Sequence, residues 1–267
     1  MIGVVCVILA VIVCAGCSSG KNQNIVVKGN GGRIAIAACK VSGKQIRLDG
    51  ILNESVWKGR KYLLTSAKRS KIGLTEEEKG EEGFVSVLCD NENLYIGGRF
   101  RDRDIISRST KDAQKHYKKG DVCEVFLKPM SRNWYWEIWV TPKGYKIGVL
   151  WILFKDGTKE MHRYYKLGME AMGYVEGTIN KSSDVDKYWS FELKIPIEKL
   201  RFPVDILADG DKKVSINDWT MLVARQDFTE KVDLKHRKLS SYPQLSQANF
   251  HRYSEYAKLR CVKCAKK

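Results

Sequence analysis

The side chains best suited to chemistry sit in one stretch, Gly120 to Gly148, GDVCEVFLKPMSRNWYWEIWVTPKGYKIG. Two runs within it alternate with period two, the signature of strands. In the first, Val122, Glu124 and Phe126 share one face, and Asp121, Cys123, Val125 and Leu127 the other. In the second, Tyr135, Glu137, Trp139 and Thr141 oppose Trp136, Ile138 and Val140. Pro129 to Asn133 supplies a turn, and Pro142-Lys143-Gly144 ends the second strand. The polar-bearing face of this hairpin carries a carboxylate, Glu124, and an indole, Trp139. An aromatic face beside a charged acceptor suits a ligand with an apolar side and a rim of hydroxyls. It does not suit glycoside hydrolysis, which needs two carboxyls across a cleft. Asp121 and Glu124 point to opposite faces of one strand.

Other catalytic patterns are missing. There is no nucleophile elbow, HExxH, Rossmann or P-loop sequence. The histidines, His116, His162, His236 and His251, are dispersed; His251 reads as a structural hydrogen-bonder. Net charge is +16, which would favour nucleic acid, anionic lipid or acidic glycans. The basic residues are scattered among acids, with no RNP, zinc-finger or helix-turn-helix pattern, so no nucleic-acid partner is expected.

The elements that must position Glu124 and Trp139 are mostly short strands. Ile34 to Val41, Gly83 to Cys89, Leu94 to Phe100, Tyr145 to Phe154, Tyr174 to Ile179, Trp189 to Ile195, Trp219 to Phe228 and Tyr256 to Cys261 read as strands around the central hairpin. Asp90-Asn91-Glu92-Asn93 and Asp156-Gly157 are turns. Leu52, Val56 and Trp57 fit one buried helical turn capped by Asn53 or Asp49, with Trp57 in the core. Pro196 to Leu200 fits another. Residues 58 to 83 read as a solvated loop. Strands at short intervals with little helix predict an all-β, antiparallel β-sandwich of jelly-roll or immunoglobulin-like two-sheet architecture with short helical turns.

Residues 2 to 17 form an apolar run ending in small residues and a cysteine, a secretory leader. Cys14-Ala15-Gly16-Cys17 resembles a bacterial lipobox, which makes Cys17 the lipidated first mature residue. Plain secretion and an uncleaved anchor are the alternatives. The expected division is residues 1–16 as signal peptide, 17–44 as tether and first strand, 45–260 as the sandwich and 261–267 as a basic tail. The mature protein is expected at the periplasm or cell surface, held to the membrane by lipid. Five cysteines lie outside the leader: Cys39, Cys89, Cys123, Cys261 and Cys264. An odd count leaves at least one free thiol. The Cys261/Cys264 pair reads as a local disulfide or two free thiols, and Cys89 and Cys123 as small core residues.

Six motifs in order resemble carbohydrate-binding module family 9. They are Leu48 to Trp57, Val87 to Ile96, Gly120 to Leu127, Tyr135 to Val140, Trp189 to Pro196, and the tail from Tyr242 to Leu259. The resemblance implies a non-catalytic sugar-binding sandwich with a two-aromatic clamp. Carried onto this chain, the clamp residues are Tyr117, with His116 beside it, and Tyr242. Glu124 matches the carboxylate that accepts sugar hydroxyls, and Trp139 and Arg225 match the adjoining positions. A ring covering ~100 Å² of a sugar face contributes roughly 2–3 kcal/mol before ordering costs. The resemblance also admits calcium, with Asp90, Asp102 and Asp104 as loop oxygens. Haem through Met130 and a histidine finds no placed partner, and no other cofactor is implied. The lysine excess points to acidic or sulfated sugars. A structural or adaptor sandwich without sugar binding is the competing expectation.

Overall fold

The computed structural model describes residues 27–28, 34–66, 82–155, 157–163, 167–201, 215–230 and 234–263. The leader, Cys17, Cys264 and the Asp156 turn residue lie outside them. The strands are β1 (Val27–Lys28), β2 (Ile34–Lys40), β3 (Tyr62–Leu63), β4 (Thr65–Ser66), β5 (Gly83–Cys89), β6 (Asn93–Arg101), β7 (Val122–Pro129), β8 (Trp134–Val140), β9 (Lys146–Leu153), β10 (Lys159–Arg163), β11 (Glu170–Glu176), β12 (Tyr188–Pro196), β13 (Trp219–Asp227), β14 (Lys238–Tyr242) and β15 (Ala257–Val262). Helical structure among the described residues is limited to single 3-10 turns such as Ser55–Lys58 and Ile197–Leu200.

Hydrogen bonding is continuous in the order β10-β9-β8-β7-β13-β15-β2-β5-β6-β12-β11. The ribbon folds over, so β7, β8, β9 and β13 lie against β5, β6, β11 and β12. Alternation explains why. Cys123, Val125 and Leu127 on β7, Trp136 and Ile138 on β8, and Val223 on β13 meet Val85, Ile96, Trp189 and Phe191 in one buried cluster. Each large apolar side chain so buried contributes about 1.5–3 kcal/mol.

The sandwich is not purely antiparallel. β15 pairs with β2, and β2 with β5, in parallel. Here β2 is inserted between two strands distant in sequence, so no hairpin fixes its direction. β2 and β15 therefore belong to the sandwich, and the expected borders at 44 and 260 cut through it.

Other differences are local. β11 begins earlier than expected and stops at Gly177, whose φ of +152° suits glycine. The short strands β3, β4, β10 and β14 lack the strong apolar alternation that reveals the others. The Trp57 turn is held by Glu192, whose carboxylate accepts the backbone N–H groups of Asp49 (2.8 Å) and Gly50 (2.9 Å) and the Trp57 indole N–H (2.9 Å). No side chain caps that turn. Gly97 is what lets the indole lie on β6, because a Cβ there would meet Trp57 at 2.9 Å and Leu52 at 2.7 Å.

Cys89 is bonded to Cys261 across β2, with Cα atoms 6.4 Å apart. This replaces both expectations for Cys261, a local disulfide with Cys264 or a free thiol, and makes Cys89 a bonded rather than a plain core residue, because β15 carries Cys261 into the sheet. Cys39 is also in a disulfide, and Cys123 is a free, buried thiol.

Candidate functional site

The outer face of β7, β8, β9 and β13 carries the polar and aromatic groups of the hairpin. Glu124 and Trp139 stand directly opposite each other in register. Glu137 lies two residues along β8, opposite Phe126 on one side and Val149 on the other. Trp151 follows on β9, opposite Tyr135. Period-two alternation places all of them away from the core, as the sequence implies.

These groups form one network. The Glu137 carboxylate accepts the indole N–H of Trp139 at 2.7 Å and that of Trp151. The Gln226 amide on β13 donates to Glu124, while its own carbonyl oxygen is buried without a hydrogen-bond partner. The Tyr117 ring rests edge-on against Trp139, with centroids 5.0 Å apart. His116 lies behind it at 6.4 Å, with Nδ1 2.7 Å from the Ser109 hydroxyl. At the far end His251 Nδ1 is 2.8 Å from the Tyr135 hydroxyl, and its ring meets Trp151 at 4.8 Å. The Lys159 ammonium sits 4.8 Å from the centre of the Trp151 ring.

The network is nearly closed. Glu124 is 2 % exposed, Trp139 3 % and Glu137 4 %, whereas Tyr117 and Trp151 are half-buried at the rim. Burial disfavours a charged carboxylate. It pushes Glu137 up to about 7, against the indole N–H bonds that hold it down. Glu124 is likewise raised well above the usual carboxylate range, first by burial and then by the charge of Glu137. Burial pushes His116 and His251 down to about 4.

Two expected site residues lie elsewhere. Arg225 points between the sheets and is 1 % exposed. Its guanidinium bonds Asp102 at 2.8 Å and the Arg101 carbonyl at 2.8 Å, with Asp227 at 3.3 Å. Odd-numbered positions on β13 face inward, so an arginine there serves the core rather than a ligand. Tyr242 pairs with Val223 and also turns inward, packing on Tyr62 with centroids 4.8 Å apart. Tyr117 and Tyr242 are thus on opposite faces of the sheet and do not form a clamp.

Asp102, Asp121 and Asp227 bring carboxylate oxygens within 4.8 Å of one another. Arg225 lies among them and pairs with Asp102 and Asp227. The Asp121 oxygens accept the N–H groups of Ile106 and Phe228, each at 2.7 Å. Asp90 is used within its turn, accepting from Glu92 (2.8 Å) and Asn93 (2.7 Å). Asp104 accepts from the Ser182 hydroxyl at 2.6 Å and the Glu230 N–H at 2.9 Å.

Sequence reasoning placed Glu137 on this face without giving it a role, and it missed Gln226 and Trp151. The signal was available for Glu137 and Trp151, since both share the parity of Trp139. Gln226 follows only once β13 is known to lie beside β7.

No protein-family model matches the sequence, and no curated protein is similar to it. Solved structures do align. One is a protein of Bacteroides uniformis provisionally described as carbohydrate-binding, with a TM-score of 0.58 at 11 % identity over 84 % of this chain and 97 % of that one. Two others are structures of a family 9 carbohydrate-binding module from Caldicellulosiruptor kristjanssonii. The glucose complex aligns with a TM-score of 0.44 at 12 % identity, over 87 % of this chain and 98 % of that one. The cellotriose complex aligns at 0.46 and 12 %, over 85 % and 94 %. The chain is an all-β sandwich sharing its fold with the Bacteroides protein.

Proposed function

We propose that the protein binds carbohydrate without cleaving it, on the outer face of β7, β8 and β9. The observation that carries this reading is the Glu124–Trp139 pair in register beneath the Tyr117 ring, with the unpartnered Gln226 carbonyl oxygen beside it. A buried acceptor without a donor is costly, and a sugar hydroxyl supplies that donor. Tyr117 and Trp151 cover the apolar face of the sugar, and Glu124 and Glu137 fix its pose. The polar floor is almost closed, with Glu124 2 % and Glu137 4 % exposed.

The same closure favours a second reading, a structural sandwich whose outer face is sealed by its own side chains. Glycan-array screening of the wild-type protein, followed by calorimetry on Tyr117→Ala, Glu124→Gln and Tyr242→Ala, separates the two. Sugar binding predicts loss in the first two variants and retention in the third. No bound glycan at all supports the sealed sandwich.

In the proposed setting the protein is exported and tethered by lipid at Cys17. Mass spectrometry of the mature N-terminus checks this, and an unmodified residue there removes the tether.

A further inference from the structure

A second feature lies on the opposite outer face, formed by β5, β6, β11 and β12. A groove of about 770 Å³ runs across the strand ends there, and its lining includes Phe84, Arg99, Arg101, Arg103, Lys187 and Tyr188. This volume is within the range of small-molecule sites. Register explains the clustering: Phe84 pairs with Arg99, and Arg101 with Tyr188. The Arg99 guanidinium lies 3.6 Å from the centre of the Tyr188 ring, and the Lys61 ammonium 4.2 Å from that of Phe84. A guanidinium held by its face on a ring turns its N–H edge toward an incoming oxyanion.

The acids in the groove are largely committed. Asp186 accepts the backbone N–H groups of Ile105 (2.8 Å) and Thr178 (2.6 Å), and Glu176 pairs with Lys187 at 2.7 Å. Glu82 stands at the margin. Val185, 66 % exposed, adds an apolar contact.

We propose that this groove binds an acidic oligosaccharide, with its carboxylate or sulfate groups on Arg99 and Arg103 and its C–H faces against Val185 and the flanking rings. The interspersed acids decide between polyanions. Glu82 accepts sugar hydroxyls but repels the dense phosphates of nucleic acid. A concave site with one exposed aliphatic residue is also a poor seat for a lipid surface. The proposal stands independently of sugar binding at Glu124.

The test is calorimetry with trigalacturonate, its fully methyl-esterified form and sulfated cellotriose, with phosphatidylserine vesicles and single-stranded DNA as competing probes. At least one acidic sugar should bind the wild-type protein, while the ester does not. Arg99→Ala with Arg103→Ala should weaken binding by about a hundredfold, about tenfold for each lost charge-assisted contact. Arg99→Lys should weaken it less, and Glu124→Gln should leave it unchanged. Circular dichroism establishes that the variants fold. Equal affinity for acid and ester, unchanged binding by the double alanine variant, or binding of vesicles or DNA but neither acidic sugar would overturn the proposal.

Discussion

Replacing Glu137 by glutamine should flatten part of the pH dependence of stability. The carboxyl titrates near 4.5 when exposed, and burial lifts it to about 7 in the fold. A raised carboxyl means that the folded chain holds a proton that the unfolded chain has released. Its contribution is therefore fully present below the ordinary range and is lost as pH rises through about 7. The whole displacement corresponds to about 3 kcal/mol, of which between about 2 and 3 kcal/mol falls between about pH 5 and about pH 8. His116 and His251, pushed down to about 4, act with the opposite sign. They add stability as pH rises from that value through the ordinary histidine range. Glu192, raised to about 7, acts with the same sign as Glu137. The contributions of His116, His251 and Glu192 are common to both proteins and largely cancel in the difference. Glu124, raised by burial and in part by the charge of Glu137, is instead relaxed in the variant and flattens its slope in the same sense. Glutamine faces two indole donors with one amide N–H₂, which lowers stability by an amount independent of pH. The informative quantity is therefore the slope. Urea unfolding at a series of pH values should show the variant losing about 2 to 3 kcal/mol less than the wild type between about pH 5 and about pH 8. Parallel curves would refute the claim that burial raises the titration of Glu137.

Three further perturbations probe the frame. Arg225→Met should cost about 3–5 kcal/mol in urea unfolding, since it strands Asp102 and Asp227 without their buried cation; a loss under about 1 kcal/mol would contradict that role. Glu192→Ala should cost about 3 kcal/mol or more by removing the acceptor for three N–H groups, and should change the Trp57 environment in near-ultraviolet circular dichroism. Cys89→Ser with Cys261→Ser opens a bond between residues 172 apart and should cost up to about 5 kcal/mol by chain entropy, read as a lower urea midpoint. An unchanged midpoint would show that the pairing adds nothing to stability.

Much of the sandwich was legible because its strands bury one face. The parity of Val122 to Leu127 and Tyr135 to Val140 predicted which side chains meet the core, and it put Glu124 beside Trp139. What parity could not supply was the neighbour of a strand distant in sequence. The parallel seating of β2 between β15 and β5, and with it the Cys89–Cys261 bond, depends on such pairings. The same limit governs the site. Tyr242 and Arg225 stand where the family resemblance asks for ligand contacts. Pairing of β14 with β13 turns Tyr242 inward beside Val223, and the acids at the ends of β6 and β13 draw Arg225 into the core. Gln226, one residue further along β13, takes the outward position instead.

The most direct measurement of the central claim is calorimetric titration of glycans found on an array, using wild-type protein, Tyr117→Ala and Tyr242→Ala. Recognition on the Glu124–Trp139 face predicts that the wild type binds, that Tyr117→Ala loses about tenfold or more, and that Tyr242→Ala binds as before despite lower stability. Binding unaffected by Tyr117→Ala but abolished in a folded Tyr242→Ala protein would place the sugar elsewhere and contradict the account.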